Sequence, residues 1–84
     1  MGYQRGTVVR SKAGHDKGSF YAVVKLEGDT ALVADGNKRT AARPKRKKLI
    51  HLAYTSTVLN EQIMNDDSKI RQEILIFDKK VRDC

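Results

Sequence analysis

The first 53 residues alternate apolar and polar positions with the two-residue period of β-strands. Their β-branched and aromatic residues form five short segments, and turns containing Gly, Asn or Asp separate most of them. These predicted strands comprise residues 5–11, 19–26, 30–35, 37–43 and 48–53. Pro44 cannot donate a hydrogen bond to a sheet, so it marks an edge or the end of pairing. Five strands at about ten-residue spacing predict a small, bent barrel or sandwich.

After Tyr54 the period changes to that of an α-helix, and the chain contains no further Gly or Pro. A short helix is predicted to begin near Thr57. A longer one should follow residues 65–68, which are all of types that cap helix N-termini. Its apolar residues form one stripe, Ile70, Ile74, Phe77 and Val81. We expect residues 54–84 to be a helical extension that packs this stripe on a barrel of residues 4–53.

Positive charge is concentrated in the first part of the chain. Residues 1–51 hold twelve Lys or Arg and four Asp or Glu, whereas residues 52–84 hold five and six, and the whole chain carries +7. Positions 38–48 alone hold seven Lys or Arg and no acid. Such crowded side chains repel one another unless an anion neutralises them. The pattern predicts a polyanionic partner, and nucleic acid is favoured over membrane because the helices are the acidic part of the chain.

Residues 6–36, GTVVRSKAGHDKGSFYAVVKLEGDTALVADG, resemble the KOW motif of small SH3-like barrels in ribosomal proteins and transcription factors. The matching positions are Gly6, Val8, Val9, Gly14, Gly18, Tyr21, Val23, Val24 and Leu26. The continuation to residue 53 is similar to small bacterial KOW-domain RNA-binding proteins, which are related to KOW proteins of the large ribosomal subunit in archaea and eukaryotes. The resemblance implies a mainly β fold, a five-stranded SH3-like barrel here followed by two short C-terminal helices.

The predicted site combines a loop and the basic run. Gly14 and Gly18 bracket a loop that must turn sharply, which glycine does at least cost. RNA contacts, mostly to phosphates, are predicted for Arg10, Lys12, His15, Lys17, Lys38, Arg39, Arg43, Lys45, Arg46, Lys47 and Lys48. RNA, with ribosomal RNA or the ribosome first, is favoured over DNA by the resemblance and because no recognition helix is predicted. The alternative is an adaptor that binds a protein through the barrel or the C-terminal helix.

Catalysis, metals and cofactors find no support in the sequence. Ser11, His15 and Asp16 lie within six positions of one loop, where a catalytic triad cannot readily form. The single cysteine, Cys84, makes neither an intrachain disulfide nor a zinc site. No apolar run approaches the roughly 20 residues that cross a bilayer, and no signal-peptide core is evident. We therefore expect a non-catalytic, cytoplasmic protein without cofactor or membrane attachment.

Overall fold

Five strands and two α-helices form most of residues 3–82, the part of the chain that the computed structural model describes, with side chains described through Lys80. The strands are β1 (Thr7–Ser11), β2 (Phe20–Glu27), β3 (Thr30–Ala34), β4 (Lys45–Lys48) and β5 (Leu52–Val58). The helices are α1 (Glu61–Met64) and α2 (Asp67–Arg82), and a short 3-10 helix spans Leu49–His51. The Val81 side chain and Cys84 lie outside the described residues.

The strands form one antiparallel sheet in the order β4-β3-β2-β1-β5. The predicted mainly β class is therefore confirmed. Register shifts between Val23 and Lys25 and between Thr7 and Val9 interrupt the ladders, and such bulges increase the local bend and twist of a sheet. Within residues 3–82, β4 and β5 are the two edge strands of the sheet and do not pair with each other. Closure of the sheet into a barrel therefore stays a prediction.

The fourth strand differs from the prediction. Residues 37–43 form turns and bends, and pairing with β3 begins at Lys45, directly after Pro44, instead of ending there. The reason is local: Oδ1 of Asp35 accepts hydrogen bonds from the backbone N–H groups of Asn37 and Arg39, at 2.9 and 3.0 Å. A carboxylate that binds nearby backbone N–H groups favours a turn over a sheet ladder.

The fifth strand also differs, at both ends. It begins at Leu52 and continues to Val58, five residues past the predicted end, so a helix start near Thr57 is wrong. The helix α1 begins instead at Glu61, where the Asn60 side chain accepts a hydrogen bond from the N–H of Ile63 at 3.0 Å. This cap satisfies a backbone donor that the first turn of a helix leaves unpaired.

The sheet buries apolar side chains on both faces because alternate strand residues point to opposite sides. One core, on the face that α2 covers, contains Val8, Phe20, Ala22, Leu59, Met64, Ile70 and Ile74. The other contains Val9, Tyr21, Val23, Ala31, Val33 and Leu52. A chain of this size therefore builds its core from two thin layers that share the central strands.

The helical stripe packs on the sheet. Ile70 and Ile74 are buried in the first core, and the Phe77 ring lies 5.2 Å from that of Phe20. Burial of each such side chain contributes about 1.5–3 kcal/mol to stability. Within residues 3–82, no helix is both long and apolar enough to span a membrane.

Candidate functional site

The loop between β1 and β2 has the sharply turned backbone that its glycines predict. Gly14 and Gly18 have φ angles of +86° and +93°, in the region that favours glycine. The N–H of Gly18 donates to the Ser11 carbonyl at 2.8 Å, and the N–H of Ser19 donates to the Asp16 carbonyl at 2.9 Å. These bonds hold the loop in a defined shape, with the side chains of His15 and Lys17 exposed.

Within this loop, the Asp16 carboxylate accepts four side-chain hydrogen bonds. Its Oδ1 accepts from the Ser11 hydroxyl at 2.9 Å and from Lys47 Nζ at 3.1 Å. Its Oδ2 accepts from the Tyr21 hydroxyl and from Lys45 Nζ, both at 2.9 Å. The side chains of Asp16 and Lys47 are only 12% and 9% exposed. We call these five residues the Asp16 cluster; it joins the β1–β2 loop to β4.

Within the Asp16 cluster, Asp16 keeps its negative charge and Tyr21 keeps its proton at neutral pH. Burial alone would raise the pKa of the Asp16 carboxyl, but the hydrogen bonds from Lys45, Lys47, Ser11 and Tyr21 outweigh burial and hold the pKa well below its ordinary value. Burial and the bond to Asp16 raise the pKa of the Tyr21 phenol above its ordinary value. Asp16 therefore remains an acceptor and Tyr21 remains a donor.

Alternate basic side chains of β4, the strand at the end of the basic run, point to opposite faces of the sheet. Lys45 and Lys47 pair with Val33 and Ala31 of β3 and turn toward the Asp16 cluster. Arg46 points the other way, is mostly exposed, and forms a salt bridge with Glu27 at 2.9 Å, and Lys48 is exposed as well.

The repulsion expected within the run is therefore offset by carboxylates from other segments. Asp16 neutralises part of the charge of Lys45 and Lys47, and Glu27 lies beside Arg46. In the sequence, Asp16 is notable only as a residue type found in catalytic triads. The alternate spacing of Lys45 and Lys47, two residues apart, was the signal that both could share one face of a strand.

Two adjoining grooves open beside the β1–β2 loop. The first, which we call the basic groove, has a volume of about 440 Å³ and is lined by His15, Asp16, Ser19, Tyr21, Asp35, Asn37, Lys38, Arg39 and Lys45. The second, the α2 groove, has a volume of about 420 Å³ and is lined by Arg10, Lys17, Gly18, Ser19, Phe20, Asp35, Ile74, Leu75 and Asp78. Ser19 and Asp35 line both grooves, so the two are adjacent.

The grooves bring together about half of the predicted site residues. Four of them line the basic groove, namely His15, Lys38, Arg39 and Lys45, and Arg10 and Lys17 line the α2 groove. The remaining predicted cations line neither groove; they are Lys12, Arg43, Arg46, Lys47 and Lys48. Side chains from β1, its following loop, the turn after β3 and β4 thus converge on one surface.

The start of α2 positions the turn that carries Lys38 and Arg39. Gly36, at φ +78°, lies so close to this helix that a Cβ atom would overlap the Asp67 carbonyl oxygen. Oδ1 of Asp67 accepts the N–H of Ala41 at 2.8 Å, and Arg71 donates to the Asn37 side chain at 3.2 Å. The sequence does not reveal this role of α2, because the Asp-Gly-Asn turn signal does not indicate which element the turn contacts.

Comparison with known proteins adds no family. No family model matches the chain, and no curated protein matches it. The likeness to KOW proteins therefore stays a hypothesis, and the functional argument depends on the geometry and charge of the two grooves.

Proposed function

We propose that the protein is a non-catalytic RNA-binding protein of the cytoplasm that holds structured RNA, ribosomal RNA first, by its phosphates. The observation that carries the proposal is that Lys38, Arg39 and Lys45, from the turn after β3 and from β4, line one groove together with His15 of the β1–β2 loop. Phosphate contacts supply most of the sequence-independent affinity for nucleic acid, and structured RNA is recognised largely by shape and backbone. The resemblance to KOW proteins supports RNA as the polyanion.

Lys38 and Arg39 are the principal phosphate ligands in this proposal. Within residues 3–80, their exposed side chains form no salt bridge, so their charge is available to an anion. Lys45 also lines the groove, but its ammonium group already forms a salt bridge with Asp16. A phosphate in the groove would contact Lys38 and Arg39 directly, and the positive charge of Lys45 would attract it at longer range.

The salt dependence of binding to a structured RNA tests this proposal. With about four to six phosphates contacted, the logarithm of the association constant should fall with a slope of roughly −3 to −5 against log salt. The double variant Lys38→Gln, Arg39→Gln should bind more weakly and flatten the slope by about one to two units. A slope near zero with tight binding would refute the electrostatic account.

A matched control distinguishes the effect of charge in the basic groove from the effect of the net charge of the protein. The double variant Lys25→Gln, Lys69→Gln also removes two positive charges, but both side chains are exposed and neither lines a groove. Its slope should stay close to that of the parent. Equal losses in the two double variants would mean that RNA responds only to total charge and would remove the basic groove from the proposal.

An adaptor that binds its partner through the helix stripe is less favoured because this stripe is covered by the sheet. Ile70 and Ile74 are buried against the sheet, and Phe77 packs beside them. A partner could use them only if α2 left the sheet, which would expose a core that supports the fold.

A further inference from the structure

We infer that one side of α2 is a second phosphate-binding surface, along which the backbone of the RNA held in the basic groove continues; this inference rests on the proposed function. The structure separates the charged side chains of α2 by exposure. The four cations of α2 through residue 80 are all exposed, namely Lys69, Arg71, Lys79 and Lys80. Its three acids are all partly buried, namely Asp67, Glu73 and Asp78. Although residues 52–84 hold more acids than bases, α2 therefore presents mainly positive charge to solvent.

The partners of these side chains support this distinction. Oδ1 of Asp67 accepts the N–H of Ala41, and Asp78 also has an interaction partner. Within residues 3–80, Arg71 and Lys79 form no salt bridge. Nη1 of Arg71 donates to a neutral acceptor, the side-chain oxygen of Asn37, at 3.2 Å. The positive charge of Arg71 and Lys79 is therefore available to an anion.

The position of these two cations on α2 connects them with the grooves. Residues four apart in a helix lie above one another on one side, so Arg71, Leu75 and Lys79 form one row. Arg71 begins this row at Asn37, which lines the basic groove, and Leu75 lines the α2 groove. At 1.5 Å per residue, Arg71 and Lys79 are about 12 Å apart along the helix axis. The row thus runs from the basic groove along the edge of the α2 groove.

The charges on and beside the α2 groove favour a phosphate backbone there. Four cations lie on or beside it, two from the β1 side and two from α2, namely Arg10, Lys17, Arg71 and Lys79. Two carboxylates that line it, those of Asp35 and Asp78, oppose these cations. Oδ1 of Asp35 already accepts two backbone N–H groups, and an excess of positive charge remains along the groove. A surface of this kind attracts a polyanion through its backbone.

The double variant Arg71→Gln, Lys79→Gln tests the inference in the full chain. Binding is measured by fluorescence anisotropy with a labelled RNA hairpin whose stem has about 16 base pairs, a length that one RNA-binding domain can span. The variant should bind about five- to tenfold more weakly at low salt. It should also flatten the slope of log association constant against log salt by about one to two units, because two phosphate contacts are lost.

The double variant Lys69→Gln, Lys80→Gln is the matched control. It removes the same charge from exposed positions of the same helix. Lys69 lies two residues before Arg71 and Lys80 nine residues after it, so both are about half a turn around the helix from Arg71. They therefore face away from the row, and this variant should keep the affinity and the salt slope of the parent.

Two further variants separate charge from structural support. Arg71→Lys keeps the charge and should bind as the parent does, even if the hydrogen bond to Asn37 is lost. Lys79→Gln leaves that hydrogen bond in place and should still weaken binding about two- to threefold. Because all the replaced side chains are exposed, every variant should melt within a few degrees of the parent by circular dichroism.

The outcomes distinguish this inference from the proposed function. Equal losses in the two double variants would mean that RNA senses only net charge, and the surface on α2 would be refuted. Parent-like binding by Arg71→Gln, Lys79→Gln, with weaker binding by Lys38→Gln, Arg39→Gln, would refute this surface and leave the basic groove as the site. Failure of the parent to bind the hairpin at low salt would refute the proposed function, and with it the inference.

Discussion

Replacing Asp16 by Asn tests whether the Asp16 cluster holds the β1–β2 loop against β4. Asn keeps the shape of the side chain and one acceptor oxygen but removes the charge that Lys45 and Lys47 face. The variant should fold less stably, because the ammonium group of Lys47 would stay largely buried without a counter-charge.

The magnitude can be estimated from the exposure of the partners. Removing one partner of a buried ion pair costs about 3–5 kcal/mol. Lys47 is 9% exposed and meets that condition, but Lys45 is 32% exposed and can turn toward water. We therefore expect a loss of about 2–3 kcal/mol in the free energy of unfolding. In a domain of 84 residues, this corresponds to a fall in melting temperature of about 10–20 °C.

Urea and thermal unfolding, followed by circular dichroism, measure the effect. Glu27→Gln serves as the control, because it removes a carboxylate whose partners, Lys25 and Arg46, are both mostly exposed. Exposed pairs contribute about 0–1 kcal/mol, so this control should stay close to the parent. If Asp16→Asn were no less stable than Glu27→Gln, the Asp16 cluster would not support the fold.

The pH dependence gives an independent check. The pKa of Asp16 is lower in the folded chain than its ordinary value of 3.8, so the unfolded chain takes up this proton first as the pH falls. The stabilisation by Asp16 is thus complete above that ordinary value and is lost progressively below it. The stability difference between parent and Asp16→Asn should be constant above about pH 5 and shrink toward pH 2. If the stability difference between parent and Asp16→Asn stayed constant down to pH 2, the lowered pKa of Asp16 would not be the source of the stabilisation.

Two further variants test the support of the grooves by α2. Gly36→Ala should destabilise the protein by more than 2 kcal/mol and weaken RNA binding, because it combines a collision with α2 and a strained φ angle. Gly28→Ala, also at positive φ but with open space around it, should cost only about 1 kcal/mol; equal melting temperatures of the two would contradict the contact. Truncation after Asn60 removes three side chains buried in the first core, worth about 1.5–3 kcal/mol each, and should leave an unfolded chain by circular dichroism. A cooperative melting transition in that fragment would show that the sheet is stable without the helices.

Much of the fold could be predicted because its signals are local. The strands β1, β2 and β3 alternate apolar and polar residues between turn residues, and α2 carries a single apolar stripe after capping residues. The left-handed backbone at Gly14 and Gly18 follows from the same local chemistry. β4 escaped prediction because the sequence Lys-Arg-Lys-Lys shows no apolar alternation. It is a strand because it pairs with β3 and because Asp16 neutralises the two lysines that turn inward.

The sequence by itself determined that this protein has an excess of positive charge in residues 1–51, two glycines that shape a loop, and an apolar stripe on a helix. Only the tertiary structure decided which charges are available to a partner. Lys45 and Lys47 meet a carboxylate that lies about thirty residues earlier in the chain, whereas Lys38 and Arg39 are displayed on a turn that α2 supports. The energy of a charge depends on its distance to other charges and on its burial, and neither can be read from separation along the chain.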